Sequence, residues 1–220
     1  MRERIVFAPG IRASELLRNL ALHGQSCFNL RICGSAELAR MSLMRSGIPV
    51  TEDFLDSKEE TALIARAADG VEYFGKTTYS DIQAIARAIR TMRCLITEDN
   101  EEQSMEEILS KGPFAKKNSA LFLVYHNYLQ ALSEGKVLDS VGIIRKAIRE
   151  SEPIKADFLT LEEFPLNPLE TALLNKLSKG KFSCVSMRQL YNAPEARAAV
   201  SSIRNCYGAP NEVETILTDI

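Results

Sequence analysis

The sequence predicts an α/β fold: a parallel sheet flanked by helices and interrupted by an all-helical insertion. Three observations predict it. Short β-type runs alternate with amphipathic helical segments in residues 1–50, the same alternation returns in 151–220, and the intervening 51–150 keeps helical periodicity without strand-like runs. Strand, loop and helix in repeated succession are the rhythm of βαβ units, which close into a parallel sheet.

Ile5 to Ala8 is a β run closed by Pro9 and Gly10, and Ile11 to His23 then repeats apolar residues at helical spacing through Ile11, Leu16, Leu17, Leu20 and Leu22. Phe28 to Cys33 gives a second strand ending in Gly34 and Ser35. Ala36 to Arg45 follows as a helix with Ser35 as its expected N-cap. In the insertion, Ser57 with Glu60, Ser80 with Gln83 and Ser104 with Glu107 have the spacing of capping boxes. Ile82, Ile85, Ile89, Met92 and Ile96 form an apolar stripe, and Arg87, Arg90 and Arg93 are expected on another side of the same helix. Glu98 to Glu107 carries six acids and reads as a solvated linker or helix start, and Phe114 to Leu132 as a long helix buried through Val124, Tyr125 and Tyr128. After Pro153, Ala156 to Leu161 is a strand with Glu162 and Glu163 at its carboxyl end. Asn167, Pro168 and Glu170 supply an N-cap, a first-turn proline and an acidic third position for a helix over 169–177. Phe182 to Met187 is a further strand. Asn211 to Ile220 reads as a helix whose last residue still lies on its apolar face, so the sequence is expected to be a piece of a longer protein.

At 220 residues, 45% hydrophobic and 25% charged, the chain is long enough to bury a full core. Its 27 Lys and Arg stand against 29 Asp and Glu, so any nucleic-acid contact must come from local basic patches rather than overall charge. Cys27, Cys33, Cys94, Cys184 and Cys206 are odd in number and widely spaced, which suits reduced thiols better than a disulfide framework or zinc cluster. No apolar run approaches the roughly 18–20 residues needed to span a bilayer, and the start MRERIVFAPG lacks a signal peptide's apolar stretch. A cytoplasmic protein with no membrane contact is expected. His23 and His126 have no Cys, Asp or Glu at ligand spacing, so helix capping and surface roles are expected of them and no metal is.

Three segments carry a resemblance. VYHNYLQALSEGKVLDSVGIIRKAI (124–148) is similar to the tyrosine-bearing helix, Asp and helix that precede the Walker B strand in the UvrD-like helicase superfamily. ADFLTLEEFPLNPLETALLNKLSKGKFSCVSM (156–187) resembles the strand, acidic turn, helix and strand of motifs II and III, and YGAPNEVETILTDI (207–220) resembles the helix leading toward the second helicase domain. The whole resembles the amino-terminal helicase-like domain of AddB/RecB-type PD-(D/E)XK nucleases. The resemblance implies a sheet of the P-loop, helicase 1A type with a 1B-like helical insertion, in a parent exonuclease or helicase-nuclease subunit of DNA repair and recombination. Its implied partners are DNA, as single strand or duplex end, and a partner helicase-nuclease subunit.

The departures from that family bear on mechanism. A working P-loop needs GxxxxGK[ST], whose amides cradle phosphates while its Lys reaches the β and γ phosphates. This chain has APGIRAS (8–14), in which Gly10 can turn the backbone, Arg12 is a loose charge replacement for the missing Lys, and Ser14 supplies a hydroxyl. Glu162 and Glu163 stand in the Walker B place without the Gln and second Asp of the active motif. They read either as remnants of a magnesium site or as two exposed acids in a strand-to-helix turn. The expectation is a non-catalytic module that has lost ATP hydrolysis and needs no cofactor, with the nuclease constellation outside this piece. Its DNA-binding candidates are Gly34, Ser35, Arg87, Arg90, Arg93, Arg188 and Tyr191, the last as a base-stacking platform. Further basic clusters are Lys111, Lys116 and Lys117, and then Lys176, Lys179, Lys181 and Arg188. Solvated helix faces are the plain alternative for all of them. The alternatives for the whole chain are a protein-protein scaffold without DNA affinity, a weak ATP-binding helicase domain, and a doubly wound small-molecule enzyme lacking a recognisable glycine loop.

Overall fold

The computed structural model describes residues 2–9, 13–25 and 27–191. Gly10, Arg12, Cys206 and the expected helix over 211–220 lie outside the described residues.

β1 (Arg4–Phe7), α1 (Ala13–Leu22), β2 (Leu30–Cys33) and α2 (Ser35–Arg45) open the chain; β5 (Asp157–Leu161), α8 (Pro168–Ser178), β6 (Phe182–Val185) and the short α9 (Met187–Tyr191) end its described part. The four strands pair in parallel in the order β2-β1-β5-β6, with Val6 beside both Ile32 and Leu159. Alternation along β1 decides the two faces. Ile5 and Phe7 point into a core shared with α2, α7 (Ser140–Glu150) and α8, while Val6 and Ala8 pack against Leu16 and Leu20 of α1 and Leu190 of α9. β1 is buried on both faces, as a central strand of a doubly wound parallel sheet must be. The predicted α/β class, with helices on a parallel sheet, is therefore observed.

Between α2 and α7 the chain forms a second core. α3 (Ser57–Ala68), a 3-10 turn (Glu72–Phe74), α4 (Tyr79–Leu95), α5 (Glu101–Ser110) and α6 (Ala115–Gly135) bury Ile64, Ile85, Ile89, Met105, Val124, Tyr125 and Tyr128 together. The insertion is narrower than 51–150, because α7 buries Val141, Ile143, Ile144 and Ala147 against the sheet's helices instead. Nor is it free of strands. β3 (Asp53–Phe54) and β4 (Val137–Leu138) pair in parallel and clamp the chain where it leaves for the helical unit and where it returns. Two-residue strands are too short for the periodicity that would have announced them.

The helix starts correct several readings by a few residues. α3 is capped by Asp56 with Glu59, not Ser57 with Glu60, and α4 by Thr78 with Asp81, not Ser80 with Gln83. Asn100 caps α5, which places Ser104 inside the helix. Asp56 and Thr78 are extended and Asn100 is likewise non-helical just before its helix, and the sequence holds a competing Ser within four residues of each. Gly34 takes the cap position of α2, so Ser35 is its first helical residue. Asn167, Pro168 and Glu170 do form the expected capping box of α8.

Leu173 on α8 is fully buried while Leu22 at the end of α1 is 72% exposed. Leu173→Ala is expected to lower stability by about 3 kcal/mol and Leu22→Ala by under about 0.5 kcal/mol. Urea unfolding midpoints at unchanged slope check both; similar costs at the two sites would contradict the core described above.

Candidate functional site

The chain passes from β1 through α1 outward to β2, then returns across β1 to β5 and continues through α8 to β6 on the other side, so the strand order turns between β1 and β5. In a doubly wound sheet the crevice at the carboxyl ends of such strands is the ordinary place for a ligand, and helix N-termini there favour anions. Gly34, Ser35, Glu162, Glu163 and α9 with Arg188 and Tyr191 all fall on this edge, which is where the sequence placed the degenerate nucleotide site.

Their side chains are largely taken up by the protein itself. Glu163 accepts the Met187 N–H with both oxygens, at 2.9 and 3.1 Å, and so caps α9. Glu162 is exposed, and its N–H donates to the Val185 carbonyl. Ser35 donates its hydroxyl to Glu170, whose other oxygen accepts the Asn167 N–H. One carboxylate thus stands beside the first turns of both α2 and α8, where a bound anion would otherwise sit. Ser14 is exposed on the first turn of α1. A Cβ on Gly34 would meet nothing within 4 Å, so no close approach demands a glycine there. Tyr191 stacks face to face on His23, centroids 5.1 Å apart and planes 9° from parallel. One face of the ring expected to hold a base is therefore covered. His23 in turn directs Nδ1 at the Asn19 carbonyl, 2.8 Å away, the expected capping role at the end of α1.

The arginine trio separates. Arg93 is 3% exposed and is not a phosphate contact: it forms ion pairs with Asp139 and Glu101. It lies four residues after Ile89 and three before Ile96, hence on the apolar stripe's own face rather than another side of α4. Arg90 is drawn across to the buried Glu60 of α3. Arg87 alone of the three is exposed without an ion pair among the described residues.

The buried ionic cluster that holds Arg93 was not legible as a site. Asp139, fully buried, caps α7 by accepting the Gly142 N–H at 2.6 Å and also accepts from Arg93 and from the Tyr128 hydroxyl at 2.6 Å. Glu101 binds Arg93 at 2.5 Å and lies 2.9 Å from Nε of Arg145. Arg145 spends its Nη groups on the carbonyls of Arg93, Ile96 and Glu98 at 2.7–3.2 Å. Burial pushes the Asp139 carboxyl up, but Arg93, helped by Tyr128 and Gly142, outweighs it and holds the group below the usual 3.8. Tyr128 is pushed well above the usual phenol range, by burial and then by Asp139, so it is always the donor. Burial also pushes the Cys33 thiol up to about 12, an inert core thiol as its apolar surroundings suggested.

At the opposite, amino edge of β5 and β6 lies a groove of about 680 Å³. Its cations are Arg2, paired with Asp157 at 3.2 Å, and the exposed Lys155, Lys179 and Lys181. The cluster read as Lys176 to Arg188 therefore divides, because β6 carries Lys181 and Arg188 to opposite edges of the sheet. Lys155 and Arg2 joined it unannounced, from segments distant in sequence.

No protein-family profile matches the chain, and no curated protein matches its sequence. Among the described residues no helix is long and apolar enough to cross a membrane.

Asp139 accepts from Arg93, Tyr128 and the Gly142 amide, and its folded-state pKa is depressed. The stability it contributes is therefore present above about pH 4 and is lost as pH falls from 3.8 through the folded value. Asp139→Asn is expected to cost about 3–5 kcal/mol at neutral pH, and the gap to wild type should shrink on acidification toward pH 3. Denaturant melts across that range check this, with the milder Tyr128→Phe as a folded comparison; a gap independent of pH would contradict the ionised Asp139.

Proposed function

We propose that this chain is a non-hydrolysing, helicase-like α/β module of a DNA-processing nuclease, of the helicase 1A type with a 1B-like helical insertion, and that it works by holding DNA. One observation carries the reading. The edge where a nucleotide would sit is filled by the protein's own Glu170 and Glu163, while the opposite edge offers a groove in which three lysines have no ion pair among the described residues. Phosphate contacts need only well-placed cations, and such a groove follows a backbone without reading sequence. The segment that resembles the helicase family also supports it. The tyrosine-bearing helix and the Asp that follows it meet in space, as Tyr128 donating to Asp139. A partner helicase-nuclease subunit is the second element of this proposal, completing a machine in which catalysis resides elsewhere.

Fluorescence anisotropy of a labelled duplex with a single-stranded tail tests it. Binding in the micromolar range that weakens steeply between about 50 and 200 mM salt is expected. Reversing Lys155, Lys179 and Lys181 to Glu together should lower affinity at least tenfold and reduce the salt slope by about three. A larger loss from Arg87→Glu would move the DNA to the face of α4. No binding at low salt would sink DNA holding and leave a scaffold.

A further inference from the structure

A second cavity, of about 730 Å³, lies where the helical unit meets α7 and the β3–β4 clamp. That is the size of an ordinary small-molecule site. Its wall on α7 repeats at helical spacing: Gly142, Arg145 and Arg149 stand three and seven residues apart and share one face. Gly142 leaves room, since a Cβ there would come to 3.1 Å from both Asp139 and Leu138 side chains.

The charge balance is what distinguishes this cavity. Arg93 and Arg145 are compensated by Asp139 and Glu101, and Glu52 is held by Lys146 at 2.7 Å. Lys136 and Arg149, both exposed on the lining, have no ion pair among the described residues, so two positive charges remain. Arg145 adds a third cationic side chain to the wall. It is 8% exposed, and its buried Nε, 2.9 Å from Glu101, makes no directed hydrogen bond, which leaves that guanidinium incompletely satisfied. Burial, then the neighbouring Arg93 and Arg149, pushes Arg145 below its usual pKa despite Glu101, in keeping with local positive excess. Leu132, Val137 and Leu138 give the same cavity an apolar wall.

We propose that this cavity binds a phosphomonoester, its dianionic phosphate between Lys136, Arg145 and Arg149 and its body against the apolar wall. A phosphomonoester carries about −1.5 to −2 at neutral pH, which matches the two uncompensated cations better than one carboxylate or a single backbone phosphodiester. The same chemistry is offered by a free nucleotide-sized metabolite and by a 5′-phosphorylated DNA end. The site is separate from the lysine groove and does not rest on the DNA-holding reading.

Isothermal titration with AMP and adenosine, and with 5′-phosphorylated and 5′-hydroxyl oligonucleotides, tests the proposal on the full chain. Saturable binding of AMP but not adenosine assigns a free phosphomonoester; preference for the phosphorylated oligonucleotide without AMP binding assigns a DNA end. In either case the exposed pair Lys136→Glu with Arg149→Glu should weaken binding at least tenfold. The Lys155, Lys179 and Lys181 reversal should leave the phosphate preference intact. No discrimination by phosphate in either pair of ligands, or discrimination unaffected by the Lys136 and Arg149 changes, overturns the site.

Discussion

Asp139 has no exposed surface, yet it accepts hydrogen bonds from three elements at once: Arg93 at the end of α4, Tyr128 on α6 and the Gly142 amide in the first turn of α7. The first two belong to the helical unit and the third to the sheet's own layer. A carboxylate taken out of water in this way costs several kcal/mol unless its partners are in place. The position of the helical unit on the sheet layer is therefore tied to the ionisation of one side chain. Any displacement of α4 from α7 leaves a buried charge without its counter-charge.

The same constraint extends outward. Arg93 is shared with Glu101 on α5, and Glu101 lies against Arg145 on α7, so three helices and the cap of α7 converge on alternating charges. Arg145 also satisfies the carbonyls of Arg93, Ile96 and Glu98, where α4 ends and the chain turns into α5. Those acceptors have no helical partner of their own, and burial without a donor would be unfavourable. On the far side of α7, the Ser42 and Ser151 hydroxyls pair at 2.9 Å in the core, fixing the end of that helix to α2. The short β3–β4 pair closes the remaining gap, leaving the helical unit attached by a clamp, an ionic centre and apolar contact.

How much of this was legible depends on the range of the interaction. β1, α1, β2, α2, β5, α8 and β6 are read from neighbouring residues and appear within a residue or two of where periodicity put them, whereas α9 was not expected and α7 was read as part of the insertion. Asn167 and Glu170 were readable because a capping box is a three-residue pattern. Asp139 was not, since its partners lie 11 and 46 positions away and nothing local distinguishes it from a surface N-cap. Arg93 was read as a DNA-binding candidate on a helix side away from the apolar stripe, although its spacing from Ile89 and Ile96 already set it on the inward face. The lysine groove escaped for a related reason: strand β6 is four residues long, and that length sends lysines before it and an arginine after it to opposite ends of the sheet. Of the expected nucleotide site, Gly10 and Arg12 lie outside the described residues, Ser14 and Glu162 are exposed, and Glu163 is bonded within the protein, as is Ser35, a residue expected to meet DNA.

That last difference has a physical origin in Glu170. A parallel sheet gathers helix N-termini at one edge, and their unpaired N–H groups and dipoles make the edge attractive to anions. In this chain the third residue of α8 is a glutamate that bends back to the cap amide and accepts from the first residue of α2. The edge carries its anion as part of the polypeptide. A phosphate arriving there would have to displace a carboxylate that is tethered, already ordered and nine-tenths buried. Among the described residues, exposed cations without an ion pair stand elsewhere, in the groove at the amino edge, on α4 at Arg87 and at the mouth of the cavity on α7, and there an external anion would not have to displace Glu170.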